Sequence, residues 1–185
     1  MEKLIDYIKI YDTIISDKIT KKIINAYRDK NLWRYSAIAD GRIDKTIRNV
    51  KGAFLSNIEN INSNPKFKEI DDIIFECTNK IIKKYQEDFP YCIINQDSGY
   101  DLLRYTKGQF YRAHTDADTN YHRTVSCSIC LNDNYEGGEW SFFDGQFITK
   151  PPKGSAILFP SNFLYPHEIK PITSGTRYSI VTWFR

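Results

Sequence analysis

From Tyr91 to the end of the chain, short runs of Ile, Val, Thr and aromatic residues alternate with turn signals. The turn signals recur at nearly regular intervals: Asp97-Ser98-Gly99, Lys107-Gly108, Gly137-Gly138, Asp144-Gly145, Pro151-Pro152-Lys153-Gly154 and Ser174-Gly175. Many short strands at such spacing are typical of an antiparallel sandwich or barrel, because parallel strands need crossover segments between them. The segment Phe142–Phe147 is a good hairpin candidate, since its Asp-Gly pair suits the positive φ angles of a type I′ turn. This half of the sequence predicts a mainly β fold.

Apolar residues recur at helical spacing in two stretches of the first 90 residues. One stretch follows a capping residue, Ser16, and the other follows Asn64-Pro65, where proline suits the first helical position. Tyr7–Tyr11 contains strand-forming residues, while residues 32–62 have no dominant period and predict short strands and loops. We therefore expect two helices and a few short strands before the β-rich half.

Length and composition limit the size, location and partners of the protein. The 185 residues fit one domain, and we expect residues 1–90 to form a helical support for a β core over residues 91–185. The net charge of +3 is too small and too dispersed to form a nucleic-acid footprint. No apolar stretch approaches the roughly 20 residues of a membrane helix, and the N-terminus lacks the pattern of a signal peptide. With only four cysteines, these features predict a cytoplasmic protein without nucleic-acid or membrane partners.

The chain has only three histidines, His114, His122 and His167, so few combinations of residues could form a histidine-containing metal site. His114 and Asp116 lie two residues apart, so on a strand their side chains point to the same face and can share one ion. His167 is the candidate third ligand, because two histidines and one carboxylate suit non-haem Fe(II) and leave coordination positions open. The alternative interpretation is that these are ordinary polar residues. His122, in a polar loop, is expected at the surface or at a gate.

Arg177 and Ser179 follow ten residues after His167, in a run with strong strand character. They face the same way if this run is a strand, and a guanidinium beside a hydroxyl is well suited to bind a carboxylate. Apolar neighbours would keep water away from such a pair. The alternative is a C-terminal strand with a solvent-facing arginine.

These residues resemble the iron(II)- and 2-oxoglutarate-dependent dioxygenases, and among them the prolyl 4-hydroxylase-like group. The resemblance covers about residues 100–185 and runs in order through Leu103-Arg104-Tyr105, Gly108, Tyr111, His114-x-Asp116, Arg123, Leu131-Asn132, Gly137-Gly138-Glu139, Pro152, Gly154, His167, Gly175, Arg177-Tyr178-Ser179 and Trp183-Phe184. It implies a mainly β double-stranded β-helix, a cupin-like jelly roll, with N-terminal α-helices packed against it.

The resemblance also implies roles for individual residues. It implies that His114, Asp116 and His167 bind iron, that Arg177, Ser179 and Tyr105 bind 2-oxoglutarate, and that Tyr111, Arg123 and Trp183 line the substrate side. Two positions depart from the family. Many collagen- and plant-type prolyl hydroxylases have Lys where Arg177 stands, and animal oxygen-sensing relatives have Tyr where Cys130 stands. Since the second departure removes a hydroxyl near the distal carboxylate, Ser179 is expected to take over its role.

The strand Arg123–Asn132 has two different faces. One face is apolar and consists of Val125, Cys127, Ile129 and Leu131, whereas the other is small and mildly polar. We predict that Ser126, Ser128 and Cys130 line the cosubstrate pocket; the alternative is a solvated outer face. Cys127 and Cys130 are expected to be structural thiols, because residues three apart on a strand point to opposite faces.

The function that the resemblance implies is an Fe(II)- and 2-oxoglutarate-dependent hydroxylase, with O2 as oxidant and ascorbate as a supporting reductant. The expected substrate is a prolyl residue in a peptide or protein. Two alternatives remain: hydroxylation of a free amino acid or other small metabolite, and an inactive jelly-roll binding module. Residues 32–62 and 116–123 are the segments in which we expect the substrate classes to differ.

Overall fold

A computed structural model describes residues 3–118 and 122–185. Within these residues the chain forms three α-helices and thirteen β-strands. The helices are α1 Asp17–Ala26, α2 Ile58–Ser63 and α3 Pro65–Asp88. The strands are β1 Lys9–Tyr11, β2 Arg34–Tyr35, β3 Arg48–Asn49, β4 Lys51–Phe54, β5 Asp101–Thr106, β6 Phe110–His114, β7 Val125–Cys130, β8 Tyr135–Gly137, β9 Trp140–Phe142, β10 Phe147–Thr149, β11 Ala156–Pro160, β12 His167–Ile169 and β13 Ile172–Phe184.

The described strands form two antiparallel sheets. The major sheet has the order β1-β11-β7-β13-β5-β4-β2, and β8 pairs with the first part of the long strand β13. The minor sheet has the order β10-β9-β12-β6-β3. This architecture confirms the mainly β jelly roll with packed N-terminal helices.

The helices cover one face of the major sheet, and local cap signals set where they begin. The side chain of Ser16 accepts a hydrogen bond from the Ile19 amide, and Asn64 caps α3 just before Pro65. The core between helices and sheet contains Ile23, Ile70, Ile74, Ile81, Leu102, Ile129 and Ile180. A second core lies between the two sheets and is built from Leu103, Tyr105, Trp140, Phe142 and Phe159. None of the described helices is both long and apolar enough to cross a bilayer.

The first 90 residues contribute four strands in addition to the helices. β1 pairs with β11 at one edge of the major sheet, whereas β4 and β2 extend the sheet beyond β5. β3 pairs with β6 in the minor sheet, where Arg48 lies opposite Tyr111. The N-terminal segment therefore reaches both sheets, including the strand that ends at His114.

The expected hairpin around Asp144 is present, but its turn is not a two-residue type I′ turn. β9 and β10 pair with Phe142 opposite Phe147, so four residues connect them. Phe143, Asp144 and Gly145 have φ angles of 54°, 54° and 87°. The Phe143 ring packs against Phe142 and Tyr165, and this packing accounts for the longer connection.

Candidate metal centre and adjoining pocket

His114, Asp116 and His167 meet at the open end of the space between the sheets. His114 ends β6, His167 begins β12, and the two residues lie opposite each other in the register of these strands. His114 Nε2 is 3.7 Å from Asp116 Oδ1, and His167 Nε2 is 3.8 Å from Asp116 Oδ2. One ligand atom from each side chain lies within 4.8 Å of the others. The three residues can therefore hold one metal ion together.

Backbone carbonyls orient both imidazole rings. His114 Nδ1 lies 2.8 Å from the Arg112 carbonyl oxygen, and His167 Nδ1 lies 3.0 Å from that of Tyr165. A neutral ring that donates its Nδ1–H to a carbonyl leaves the Nε2 lone pair free for a metal. Both rings therefore present Nε2 toward Asp116 in the form that a cation requires.

The electrostatics of the centre favour a neutral His114 imidazole and an ionised Asp116 carboxylate. Burial lowers the pKa of His114, and the nearby His167 lowers it further. Burial acts to raise the pKa of Asp116, but His167, His114 and the Ser126 hydroxyl together outweigh it and lower this pKa. These are the protonation states in which the side chains bind a cation.

Aromatic rings surround the His167 side chain, which is 3% exposed. The ring centroids of Phe159, Trp140 and Phe142 lie 4.8, 5.5 and 5.5 Å from that of His167. On the other side of the centre, Tyr111 stacks on His114 at 3.5 Å. This packing fixes the rings and limits the access of water.

Ser126 holds the Asp116 carboxylate from strand β7. Its Oγ donates to Asp116 Oδ2 at 2.6 Å and lies 2.8 Å from Ser161 Oγ. Replacing Ser126 with alanine is expected to weaken metal binding about 10- to 100-fold, because outer partners orient ligands and tune their basicity. Titration with Co(II) or Fe(II) measures this change.

The matched control for this substitution is Ser141→Ala. Ser141 is a buried serine of β9 whose Oγ lacks a hydrogen-bond partner in the described structure. Its removal is expected to leave metal affinity unchanged. Equal metal affinity in the Ser126→Ala and wild-type proteins would show that this hydrogen bond does not support the centre.

A cavity extends from the three ligands into the space between the sheets. It is lined by the four predicted cosubstrate residues, Tyr105, Ser128, Arg177 and Ser179. Tyr111 and Trp183 also line it, near its mouth. The chain thus brings the candidate metal ligands and the candidate cosubstrate residues to one cavity.

Arg177 is a buried cation within this cavity, with only 1% of its surface exposed. Its Nη1 donates to Ser179 Oγ at 3.1 Å, and its buried Nε has no partner among the described residues. The alternative of a solvent-facing arginine is wrong, because Arg177 lies opposite Tyr105 on β5, under the second sheet. A buried guanidinium needs an anion for compensation, so this end of the cavity suits a carboxylate.

All six residues of β7 are buried, so the alternative of a solvated face is wrong. Ser126 and Ser128 line the cavity, as predicted, whereas Cys130 does not. Cys130 lies opposite Ser179 and deeper in the sandwich, where its Sγ is 4.0 Å from the Tyr135 hydroxyl. Cys130 and Cys127 are free thiols whose pKa burial raises.

Tyr135 is a residue that the sequence reasoning missed. It comes from β8, and its ring and the Arg177 side chain both lie against Gly138. Its hydroxyl therefore lies beside Cys130, on the same side of Gly138 as the Arg177 side chain. A tyrosine five residues away gave no signal in the sequence, because only the pairing of β8 with β13 brings it there.

The three predicted substrate-side residues surround the mouth of the cavity. Arg123 stacks on Trp183, with the guanidinium carbon 4.0 Å from the ring centroid, and lies 3.4 Å from Asp118. The guanidinium carbon of Arg48 lies over the Tyr111 ring, 4.7 Å from its centroid. Arg48 was not identified from the sequence as a residue of this region. His122 is exposed and is not part of the metal centre. Of the predicted variable loop 116–123, residues 119–121 lie outside the described structure.

Comparison with protein families connects this geometry to known proteins. The sequence model of the 2OG-Fe(II) oxygenase superfamily matches residues 100–185. A PKHD-type hydroxylase of Sphingopyxis alaskensis is 35% identical over 94 residues, which cover 45% of this chain and 42% of the relative. Human prolyl 3-hydroxylase 2 is 37% identical over 67 residues, which cover 34% of this chain and 10% of the relative. The chain thus matches less than half the length of either relative.

A solved structure matches nearly the whole chain. It is a prolyl hydroxylase from Trichoplax adhaerens, in complex with a hypoxia inducible factor oxygen degradation domain peptide fragment. The TM-score is 0.80 at 20% sequence identity, and the match covers 96% of this chain and 83% of that one. This likeness concerns the fold, and it includes the N-terminal strands and helices that the family match leaves out.

Proposed function

We propose that the chain is an Fe(II)- and 2-oxoglutarate-dependent hydroxylase of prolyl residues in peptides or proteins, because residues 100–185 match the sequence model of the 2OG-Fe(II) oxygenase superfamily. The observation that carries the proposal is one buried cavity with His114, Asp116 and His167 at one end and Arg177 at the other. A binding module without turnover has no need of this complete set.

Each end of the cavity fits one cofactor. Two imidazoles and a carboxylate form the donor set that suits Fe(II), and the buried Arg177, whose Nε has no partner among the described residues, suits the distal carboxylate of 2-oxoglutarate. Bound iron supplies the activation of O2 that couples decarboxylation of 2-oxoglutarate to hydroxylation of a C–H bond. The chain itself supplies ligation, orientation and a cavity from which aromatic rings exclude water. Ascorbate, as a supporting reductant, remains a prediction.

The proposed substrate rests on the relatives and on the mouth of the cavity. Human prolyl 3-hydroxylase 2 and the peptide-bound Trichoplax enzyme are named for prolyl chemistry. The rings of Tyr111 and Trp183 flank the cavity next to the metal ligands, where they offer apolar walls to a pyrrolidine ring. Both features favour a proline-containing chain as substrate.

The experiment is succinate production from 2-oxoglutarate with Fe(II) and ascorbate, with and without proline-rich peptides. We expect slow basal turnover that rises with peptide and is lost in His167→Ala and Arg177→Ala. Turnover that ignores every peptide would redirect the search to a free amino acid or another small metabolite. Absence of turnover in protein that binds iron would contradict the enzyme and favour the binding module.

A further inference from the structure

A groove leads from the surface to the metal centre. Tyr111, Asp116 and Trp183 line both this groove and the cavity. The opposite wall of the groove is built largely by residues 32–39 and by β4, which belong to the N-terminal half of the chain. A ligand that reaches the metal from this side must therefore pass the residues of this wall, to which no role has yet been assigned.

Asp101, the first residue of β5, stands in this groove. It lies on the same face of β5 as Leu103 and Tyr105, which line the cavity, because alternate residues of a strand share a face. Across the sheet it is opposite Val181, which in turn lies opposite Ser128. The Asp101 carboxylate is therefore placed at the level of the reaction cavity, on its substrate side.

The Asp101 carboxylate is partly desolvated and lacks a donor. Burial raises its pKa, while Arg48 and Arg123 act in the opposite direction. The hydrogen bonds and ion pairs found within residues 3–118 and 122–185 do not include this carboxylate. Since leaving a desolvated acceptor unpaired is unfavourable, a carboxylate in a groove is readily explained by a ligand that supplies the donor.

The charges around Asp101 favour a neutral donor. Arg48 donates Nη1 to the Ala37 carbonyl, and Arg123 lies against Asp118. Arg48 and Arg123 therefore already compensate part of the Asp101 charge, so an uncharged N–H group is a sufficient donor. Arg48 also lines the groove, and its buried Nε has no partner among the described residues. The groove thus offers one acceptor and one donor, which together complement a peptide group.

We propose that Asp101 is a substrate-binding residue that accepts a hydrogen bond from a backbone N–H of a peptide in this groove. The proposal rests on the proposed prolyl hydroxylase function and adds to it the mode of recognition. Recognition then depends on the backbone of the substrate rather than on a basic side chain. It follows that proline-containing segments with different neighbouring side chains can bind, provided that the critical N–H is present.

The experiment begins with a panel of blocked proline-containing heptapeptides in the succinate assay. The most active peptide is then labelled, and its binding to Zn(II)-loaded protein with 2-oxoglutarate is measured by fluorescence anisotropy, so that no turnover occurs. Wild type, Asp101→Ala and Asp101→Asn are compared with Asp12→Ala, a control at an exposed carboxylate away from the groove. Each non-proline amide of the peptide is N-methylated in turn.

We expect Asp101→Ala to weaken peptide binding about 10- to 100-fold while the affinity for 2-oxoglutarate stays unchanged. Asp101→Asn should lose less, because its amide oxygen still accepts a hydrogen bond. One N-methylated position should weaken binding to wild type and not to Asp101→Ala. Asp12→Ala should behave as wild type.

Four results would overturn the proposal, and they differ from one another. Unchanged peptide binding in Asp101→Ala, or the absence of any N-methyl position coupled to Asp101, would refute the hydrogen bond while leaving peptide hydroxylation intact. Equal losses in Asp101→Asn and Asp101→Ala would indicate a charged substrate group instead. If no peptide raises succinate formation although 2-oxoglutarate binds, the proposed peptide substrate fails, and this inference fails with it.

Discussion

Replacing His114 with alanine is expected to lower 2-oxoglutarate-dependent succinate formation below about one thousandth of the wild-type rate. Outer partners of a metal ligand alone are each worth about 10- to 100-fold, and His114 is placed as a direct ligand. Two donors, Asp116 and His167, would remain, which is too few to hold the ion in a fixed orientation. The rate is measured with excess Fe(II), and metal binding is measured separately by Co(II) titration.

The control is His122→Ala, which removes the exposed histidine outside the metal centre. This variant is expected to keep wild-type metal affinity. His114→Ala should unfold cooperatively in metal-free buffer, at a cost of about 1–2 kcal/mol from the lost stacking with Tyr111. A metal-stripped His114→Ala protein that regains full turnover when Fe(II) is added back would eliminate His114 as a ligand.

Local patterns in the sequence predicted the features that depend on neighbouring residues. Ser16 and Asn64-Pro65 marked the helix starts, because a cap acts on amides within the next three residues. The His114-x-Asp116 spacing needed only the period of a strand. His167 lies more than 50 residues away and was found through the scarcity of histidine together with the chemistry of Fe(II) ligands.

Contacts between distant strands explain what the sequence reasoning missed. Arg48 reaches the centre only because the two-residue strand β3 pairs with β6, and such a short strand has no readable period. Asp101 belongs to none of the motifs read from the sequence, and the role proposed for it depends on a groove built largely by residues 32–39 and β4. Tyr135 approaches Cys130 through the register of β8 with β13. The sequence alone does not specify any of these registers.

Changing Arg177 to methionine is expected to separate binding from stability. The affinity for 2-oxoglutarate should fall about 100- to 4,000-fold, because breaking a buried charge pair costs about 3–5 kcal/mol. Without ligand, however, the same change should raise the free energy of unfolding by about 1–3 kcal/mol. The wild-type guanidinium is buried with its Nε unpaired, and a methionine of similar length removes that unfavourable charge. Calorimetry on Zn(II)-loaded protein and urea denaturation of metal-free protein measure the two quantities.

Arg104→Met is the matched control, because Arg104 likewise has a buried Nε without a partner among the described residues. Arg104 follows Leu103 on β5 but points to the opposite face, where its guanidinium lies over Trp33. Replacement of Arg104 should alter stability without changing the affinity for 2-oxoglutarate. Arg177→Lys should keep part of that affinity, because lysine retains the charge but lacks the bidentate guanidinium group. Equal affinity for 2-oxoglutarate in Arg177→Met and wild type would show that Arg177 does not form the anion site. A large loss of 2-oxoglutarate affinity in the Arg177 variants, and not in Arg104→Met, would instead show that the Arg177 charge binds the cosubstrate. The buried charge of Arg177 lowers the stability of the ligand-free protein, and a bound carboxylate compensates it.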